Sequence, residues 1–245
     1  MLLKLGQIPT LVVSSADMAR EIMRTHDHIF ASRPSLMTAD ILLNGGTDVV
    51  FAPYGEHWRQ MRKLCVNHLL STKMVQAFRL AREEEVASMI TKISQVSLSS
   101  GVVNMSEVLN LFTSNILFKA ISGKYFREEG RTDVICKLIE ENIIILGKFS
   151  ISDFLPSLGW LDVIFGVGGM AKRVAKRWDR VLDEIIDDHA DRSKEMEEKT
   201  DFINVLLALQ KDENMEFSLS REIIKAILQV TIRILVTQVM ACNSW

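Results

Sequence analysis

The chain has 245 residues, with 29 Lys and Arg against 31 Asp and Glu, and a formal net charge of -2. Hydrophobic residues make up 48% and charged residues 24%, a balance that can bury a core and excludes a globally disordered chain. The near-neutral charge argues against a nucleic-acid partner, because such a protein needs a basic surface to neutralise phosphates. We therefore expect a folded protein that does not bind nucleic acid.

Residues 1–14 predict a small β hairpin. Leu3 and Leu5 alternate with residues of the opposite face, residues 11–13 are aliphatic, and Gly6 and Pro9 mark the turn. No convincing third strand follows, and 12 glycines and 4 prolines are too few for a fold built from many tight turns. The sequence therefore predicts a mainly α fold with one N-terminal hairpin.

Helical periodicity begins at Ser15, a suitable N-cap, and the segment FASRP at 30–34 interrupts it. Residues 35–52 are interpreted as a loop of small and apolar residues. The next helix follows Gly55, and its apolar stripe has offsets of 3, 7 and 11 residues. The same stripe, with a further offset of 4 residues, contains Trp58, Met61, Arg62, Cys65 and Leu69.

The remaining sequence continues in helices. They are predicted near 75–94, from a Ser106 cap to Gly123, after Thr132, over 173–189, from a Thr200 cap to Leu209, and from Ser220 onward. Apolar residues keep helical spacing after Gln229, so the last helix is expected to continue into the tail. The run from Asp187 to Asp201 carries dense charge of both signs and is interpreted as a solvated helix end and loop.

Few residues carry recognisable chemistry on their own. The three cysteines are widely spaced without a CxxC pair, and no nucleophile elbow, phosphate-binding loop or HExxH motif is present. We assign neither a catalytic residue nor a metal ligand. Trp58 and Arg62 lie four residues apart, so an indole N–H and a guanidinium share one helix face and suit a carboxylate or a phosphate. The alternative is a core tryptophan beside an exposed arginine.

The sequence FAPYGEHWRQMRKLC at 51–65, preceded by FASRP, closely resembles the cytochromes P-450, the heme-thiolate monooxygenases, and in particular plant microsomal members. The segments KTDFINVLLALQ at 199–210 and IIKAILQ at 223–229 resemble the same family in the same order. The resemblance covers residues 1–229 as the N-terminal part of such a domain. It leaves 230–245 as a divergent C-terminal tail.

The resemblance implies a cytochrome P-450-like helical array in which Trp58 and Arg62 bind a heme propionate. It further implies a small hydrophobic substrate near residues 36–43, although the apolar residues there could equally cover the core. An NADPH-dependent reductase would be the electron donor. The basic face of Arg59, Arg62 and Lys63 would help to dock that reductase, or is an ordinary solvated face. The family's location is the cytosolic face of the endoplasmic reticulum membrane, and DFLPSLGWLD at 153–162 resembles its membrane-facing region.

Several family motifs are not found in these residues. They are the hydrophobic anchor, the Pro-rich hinge, the Ala-Gly-Thr motif of oxygen activation, the Glu-x-x-Arg motif and the Gly-rich loop with the iron-ligating cysteine. We therefore expect a fragment truncated before the heme-thiolate loop, inactive as this chain and, without the anchor, cytosolic apart from peripheral membrane contact. The alternative is a non-catalytic product that acts as a partner-binding or regulatory helical module.

Overall fold

The computed structural model describes residues 1–99, 101–123, 131–192, 201–212 and 218–241. Two strands, β1 (Leu2–Leu5) and β2 (Ile8–Leu11), form the predicted antiparallel hairpin. Within the described ranges they make the only sheet, and helices account for most other residues. The expected mainly α fold with a small N-terminal hairpin is confirmed.

The turn of the hairpin is tighter than predicted. Leu5 pairs with Ile8, which leaves only Gly6 and Gln7 in the turn, and Gly6 adopts a φ of 64°. Pro9 lies inside β2 opposite Lys4 rather than in the turn. The backbones of Met1 and Val12 exchange two hydrogen bonds. Because bonded and non-bonded pairs alternate, Pro9 occupies a non-bonded pair, where its missing N–H costs nothing.

The N-terminal part then continues in short helices. Ser15 caps the first of them as predicted, since its hydroxyl accepts a hydrogen bond from the Met18 N–H. In chain order they are α1 (Ala16–Arg20), a π-helical turn (Glu21–Thr25), α2 (Asp27–Phe30), α3 (Met37–Leu42), α4 (Glu56–Leu64) and a second π-helical turn (Cys65–Leu69).

Helix α3 lies in a segment that the sequence pattern predicts to be a loop, so that prediction was wrong. Its N-cap residue, Leu36, has no side chain that can cap. The missing cap comes from Asp153, whose carboxylate accepts a hydrogen bond from the Met37 N–H at 2.9 Å across 116 residues. Ala39 and Leu42 are buried, so tertiary contacts rather than local signals stabilise this helix.

The rest of the described chain combines long helices with a few short ones. They are α5 (Thr72–Ala77), α6 (Arg79–Leu98), α7 (Met105–Ser122), α8 (Arg131–Leu146), a 3-10 turn (Pro156–Leu158), α9 (Leu161–Phe165), α10 (Val167–Arg192), α11 (Phe202–Gln210) and α12 (Arg221–Ala241). Helix α12 continues past Gln229, as expected. No helix among the described residues is both long and apolar enough to cross a membrane.

The cap of α7 differs by two residues from its prediction. Asn104 rather than Ser106 caps this helix, and its side chain accepts a hydrogen bond from the Glu107 N–H. The predicted Thr200 cap of α11 lies outside the described residues, and Asp201 caps that helix. Ser220 caps α12 as predicted, because its hydroxyl accepts from the Ile223 N–H.

The chain divides into two compact units. The first unit comprises residues 1–62 and 140–178, and the second comprises 63–139 and 179–245. In the second unit α7 packs against α6, α11 and α12. The buried apolar residues of the first unit include Ala39, Leu42, Leu43, Met61, Ile145, Ala171, Val174 and Trp178. Those of the second include Phe118, Ile135, Leu138, Leu182, Ile185, Phe202, Leu206, Ile224 and Ile227.

Candidate functional site

Helix α4 positions both residues of the predicted carboxylate-binding pair. Met61 is fully buried and fixes the inner face of the helix. Trp58 is half-buried, and Arg62 projects from the next turn into solvent. The spacing of four residues brings the two side chains together, as predicted.

On this face two adjacent aromatic rings lie between two guanidinium groups, and together we call them the stack. The Arg62 guanidinium lies 5.4 Å from the centre of the Trp58 ring, within the range of a cation–π contact. Tyr54 packs against Trp58 with ring centres 5.5 Å apart, and Arg59 lies 5.9 Å from the centre of the Tyr54 ring. The stack therefore holds the long Arg62 side chain against a rigid surface.

The two donors do not point at one spot in this structure. The Trp58 indole N–H donates a 2.9 Å hydrogen bond to the Val49 carbonyl. The guanidinium of Arg62 makes no hydrogen bond or ion pair within the described ranges, so its N–H groups are available for a carboxylate. A direct role for the indole N–H requires it to leave Val49, and joint binding by Trp58 and Arg62 stays a prediction.

The loop before α4 supplies that carbonyl and was not identified from the sequence as a scaffold. Asp48 is fully buried, and its carboxylate accepts hydrogen bonds from the N–H groups of Val50 at 2.7 Å and Phe51 at 3.1 Å. A ring nitrogen of His57 lies 2.9 Å from the Thr47 carbonyl. An Asx-type turn forms when an aspartate side chain accepts hydrogen bonds from N–H groups two or three residues later, so Asp48 was the local signal that could have indicated this loop.

A second candidate surface lies in the first unit, around α9. Four large apolar residues there are mostly exposed: Trp160 is 62% exposed, Val163 82%, Ile164 69% and Phe165 64%. Together with Leu158 we call these residues the apolar face. An exposed cluster of this kind marks an interaction surface.

Asp162 fixes the loop that presents the apolar face. Its buried carboxylate accepts hydrogen bonds from the Ser150 hydroxyl and from the N–H groups of Ile151 and Ser152, at 2.8, 2.8 and 2.9 Å. Burial on its own would raise the pKa of Asp162. The hydrogen bonds from Ser152, Ile151 and Ser150 outweigh that effect and lower the pKa to about 2.

Both described cysteines lie in helical segments: Cys65 begins the second π-helical turn, and Cys136 lies in α8. Burial raises the pKa of the Cys65 thiol to about 11, so the group is protonated at neutral pH. Cys65 and Cys136 are both half-buried and not in a disulfide, and Cys242 lies outside the described residues. Within the described ranges no group of three His, Cys, Asp or Glu side chains can hold a metal ion.

Heme fits these residues only in part. The free guanidinium of Arg62 suits one propionate, which is the outer edge of the cofactor. A large apolar ring also needs walls and an axial ligand. Arg62 therefore accounts for one heme carboxylate, and neither walls nor an axial ligand for the ring are assigned among the described residues.

Comparison with known proteins identifies one family over most of the chain. Residues 1–232 match the cytochrome P-450 family profile. The chain is 44% identical over 232 residues to indole-2-monooxygenase of Zea mays, covering 93% of this chain and 42% of that protein. It is 44% identical over 233 residues to Cytochrome P-450 71A1 of Persea americana, covering 93% of this chain and 46% of that protein. It is 39% identical over 225 residues to indoleacetaldoxime dehydratase of Arabidopsis thaliana, covering 92% of this chain and 45% of that protein.

Solved structures show the same fold. A zebrafish cytochrome P-450 with progesterone superposes with a TM-score of 0.66 at 18% identity, over 94% of this chain and 51% of that one. The chain thus spans about half the length of the proteins that it matches. The family match extends over nearly all of the chain, and the cofactor of that family is heme iron. The chain belongs to the cytochrome P-450 family.

Proposed function

We propose that the chain is the N-terminal part of a heme-dependent monooxygenase. The whole protein would insert one oxygen atom from O2 into a small hydrophobic substrate, with electrons from an NADPH-dependent reductase. The observation that carries the proposal is the family match over residues 1–232, which includes the Trp58–Arg62 helix. Heme, when bound, supplies the oxygen activation in this family.

The substrate is proposed only as a class. Two relatives of similar identity have names that describe different reactions, a monooxygenation and a dehydration. Overall similarity therefore does not select one compound for this chain. The aliphatic residues of α3 and its flanks, such as Leu36, Met37 and Ile41, favour a small apolar substrate.

Within this function Arg62 would bind a heme propionate, and Trp58 would hold it in position. The support is the exposed guanidinium, which lies 5.4 Å from the indole ring and has no competing carboxylate within the described ranges. A guanidinium can donate two parallel hydrogen bonds to one carboxylate, which fixes its orientation as well as its charge. The Val49 carbonyl, in turn, fixes the indole ring through its N–H.

Heme titration of the purified 245-residue chain tests this assignment. We expect Arg62→Gln to weaken heme binding about 10- to 100-fold, because a charge-assisted hydrogen bond contributes about 1.5–3 kcal/mol. Trp58→Phe keeps an aromatic surface and should weaken binding less. Arg24→Gln is the matched control, since Arg24 is also an exposed arginine of the first unit. Equal effects of Arg62→Gln and Arg24→Gln would contradict the assignment.

We further propose that this chain on its own is catalytically silent. The helical settings of Cys65 and Cys136 support this proposal, because the thiolate ligand that favours O–O bond cleavage in the family lies in a Gly-rich loop, which was not found in these residues. The test is an absorption spectrum of the heme-loaded chain, reduced and exposed to carbon monoxide. We expect no thiolate-type band. Such a band would overturn the proposal, and Cys65→Ser and Cys136→Ser would then locate the ligand.

The proposed location of the whole protein is the cytosolic face of the endoplasmic reticulum membrane. In this chain the apolar face is the proposed site of peripheral membrane contact. Its tryptophan has the amphipathic ring that is enriched at membrane interfaces, and its neighbours are aliphatic or aromatic. A vesicle-binding test of this contact is combined below with a test of what positions the face.

A further inference from the structure

The N-terminal hairpin has little packing to hold it in place. All residues of β1 are exposed, and only Thr10 of β2 is half-buried. Leu2, Leu5 and Leu11 are 72%, 42% and 53% exposed. Apolar burial therefore contributes little to the position of this hairpin in the first unit. Its position depends on specific polar contacts.

Those contacts are concentrated at the two-residue turn. The Gln7 N–H donates to the Phe154 carbonyl at 2.7 Å. The Gln7 side-chain amide then pairs with Ser157 in both directions: its Nε2 donates to the Ser157 hydroxyl at 2.6 Å, and its Oε1 accepts from the Ser157 N–H at 3.3 Å. One residue of the turn thus makes three hydrogen bonds to a segment about 150 positions away.

Gly6 permits this close approach. Its φ of 64° is unfavourable for residues with a Cβ atom, and a Cβ built there would lie 2.4 Å from the Phe154 carbonyl oxygen. That oxygen is backbone, so it cannot rotate away. A side chain at position 6 would push the hairpin and the segment apart.

The segment held by this turn leads directly to the apolar face. Ser157 belongs to the 3-10 turn, and Leu158 and Trp160 follow it. Farther along, Asp162 anchors α9 to residues 150–152. The apolar face is therefore attached on one side by the hairpin and on the other by the Asp162 hydrogen bonds.

The composition of this segment favours lipid over protein as the occupant. From Phe154 to Ala171 the only charged residue is Asp162, and its carboxylate is buried among backbone N–H groups. Protein interfaces have a polar rim around an apolar centre, whereas the residues of the apolar face expose an indole, a phenyl ring and aliphatic groups, none of them charged. This pattern matches the interfacial zone of a bilayer.

We infer that the Gly6–Gln7 turn is a latch that positions the apolar face for contact with a lipid bilayer. Gln7 and Ser157 act as positioning residues, because the hydrogen bonds between them fix the segment while neither needs to touch lipid. The inference rests on the peripheral membrane contact proposed above. It adds that the contact depends on the hairpin turn, which lies about 150 residues before the apolar face.

Co-flotation of the 245-residue chain with phosphatidylcholine vesicles tests the latch. Gln7→Ala and Ser157→Ala should each lower the partition coefficient about 3- to 10-fold, as expected for loss of one or two hydrogen bonds. The double variant should lose no more than the larger single effect, because the two side chains act through one contact. Gly6→Ala should reduce binding at least as strongly as Gln7→Ala.

Two controls separate the latch from the membrane contact itself. Gln76→Ala changes an exposed glutamine of α5 in the second unit and should leave partitioning unchanged. Trp160→Ser combined with Val163→Ser removes two residues of the apolar face and should abolish binding. One outcome would refute the latch but keep the membrane contact. In it the wild-type chain and Gln7→Ala bind equally well, while the Trp160→Ser/Val163→Ser chain does not bind. If the wild-type chain does not bind vesicles, both are wrong.

Hydrogen exchange without lipid examines the latch independently of binding. In Gln7→Ala we expect faster exchange in peptides covering residues 5–12 and 154–160, with no change in α12. Unchanged exchange in those peptides would show that the turn does not restrain the segment and would overturn the inference. Far-ultraviolet circular dichroism of each variant checks that the helices are retained.

Discussion

Two buried charges, one in each unit, are stabilised in opposite ways. Asp162 in the first unit accepts hydrogen bonds from neutral groups only 10 to 12 residues away. Lys225 of α12 in the second unit binds the carboxylates of Asp179 and Asp183 on α10, more than 40 residues away. The first arrangement fixes a loop, and the second joins two helices. The same problem of burying a charge thus has a local solution and a long-range one.

The electrostatics of the two sites differ accordingly. Burial on its own lowers the pKa of Lys225, but its hydrogen bonds to Asp179 and Asp183 outweigh this and raise the pKa. Burial likewise raises the pKa of Asp183, and its bonds from Lys225 and Arg221 bring the net pKa below its usual value. Each partner therefore favours the charged form of the other. At Asp162 no opposite charge is needed, because peptide and hydroxyl dipoles favour the carboxylate.

The largest effect is expected from Asp162→Ala. The change leaves the Ile151 and Ser152 N–H groups and the Ser150 hydroxyl without their acceptor, and each buried donor left unsatisfied costs about 1–3 kcal/mol. We expect the first unit to lose about 3 kcal/mol of stability, measured by urea denaturation. Hydrogen exchange should rise in peptides of 150–162 and stay unchanged in α12. Equal acceleration in both units would contradict the local character of this site.

Lys225→Ala should have the second largest effect, about 2 kcal/mol in urea denaturation. The Lys225 side chain is only 7% exposed, so both its packed methylene groups and its ion pairs are lost. The carboxylates of Asp179 and Asp183 are 53% and 36% exposed and remain hydrated, which limits the cost. Lys225→Met is the matched variant, because it keeps the volume, and should cost less than half as much. Similar losses in both variants would show that the charge matters more than the packing.

A smaller effect is expected from acid. The pKa of Asp162 is lowered to about 2 from its ordinary value of 3.8, so its stabilising contribution is present above about pH 4 and is lost as the pH falls through 2. Amide hydrogen exchange at residues 150–162 should therefore accelerate between pH 4 and pH 2 by more than the pH dependence of exchange in an unfolded peptide explains. Asp162→Asn should flatten this dependence. If the exchange rate of the wild-type chain depended on pH as little as that of Asp162→Asn, the lowered pKa of Asp162 would be contradicted.

The smallest effect is expected from Arg221→Ala, at under about 1 kcal/mol. Arg221 contacts Asp183 and Asp187 at 2.8 Å, but its side chain is 40% exposed and Asp187 is 63% exposed. Solvent and salt screen such pairs. The measurement is urea denaturation at low and high salt, and the difference between wild type and variant should shrink at high salt. A loss as large as that of Lys225→Ala would remove the distinction between buried and exposed partners.

Local patterns predicted the hairpin, the helical class and the extension of the last helix. They also placed Trp58 and Arg62 on one helix face, since that follows from 3.6 residues per turn alone. They failed for α3, where Leu36 provides no cap and the acceptor is Asp153, 116 residues away. They also chose Ser106 over Asn104 for α7, because two suitable caps lie within one turn and spacing alone does not select between them.

The sequence by itself determined that the chain is helical, that its family is the cytochromes P-450, and which two residues are candidates for the cofactor edge. These properties depend on periodicity and on motifs that are contiguous in the chain. Only the tertiary structure decided that the Trp58 indole donates to Val49, that Gln7 holds the segment at Ser157, and that Lys225 is paired with α10. The reason is physical: each of these contacts joins groups that only the folded backbone brings within hydrogen-bond distance.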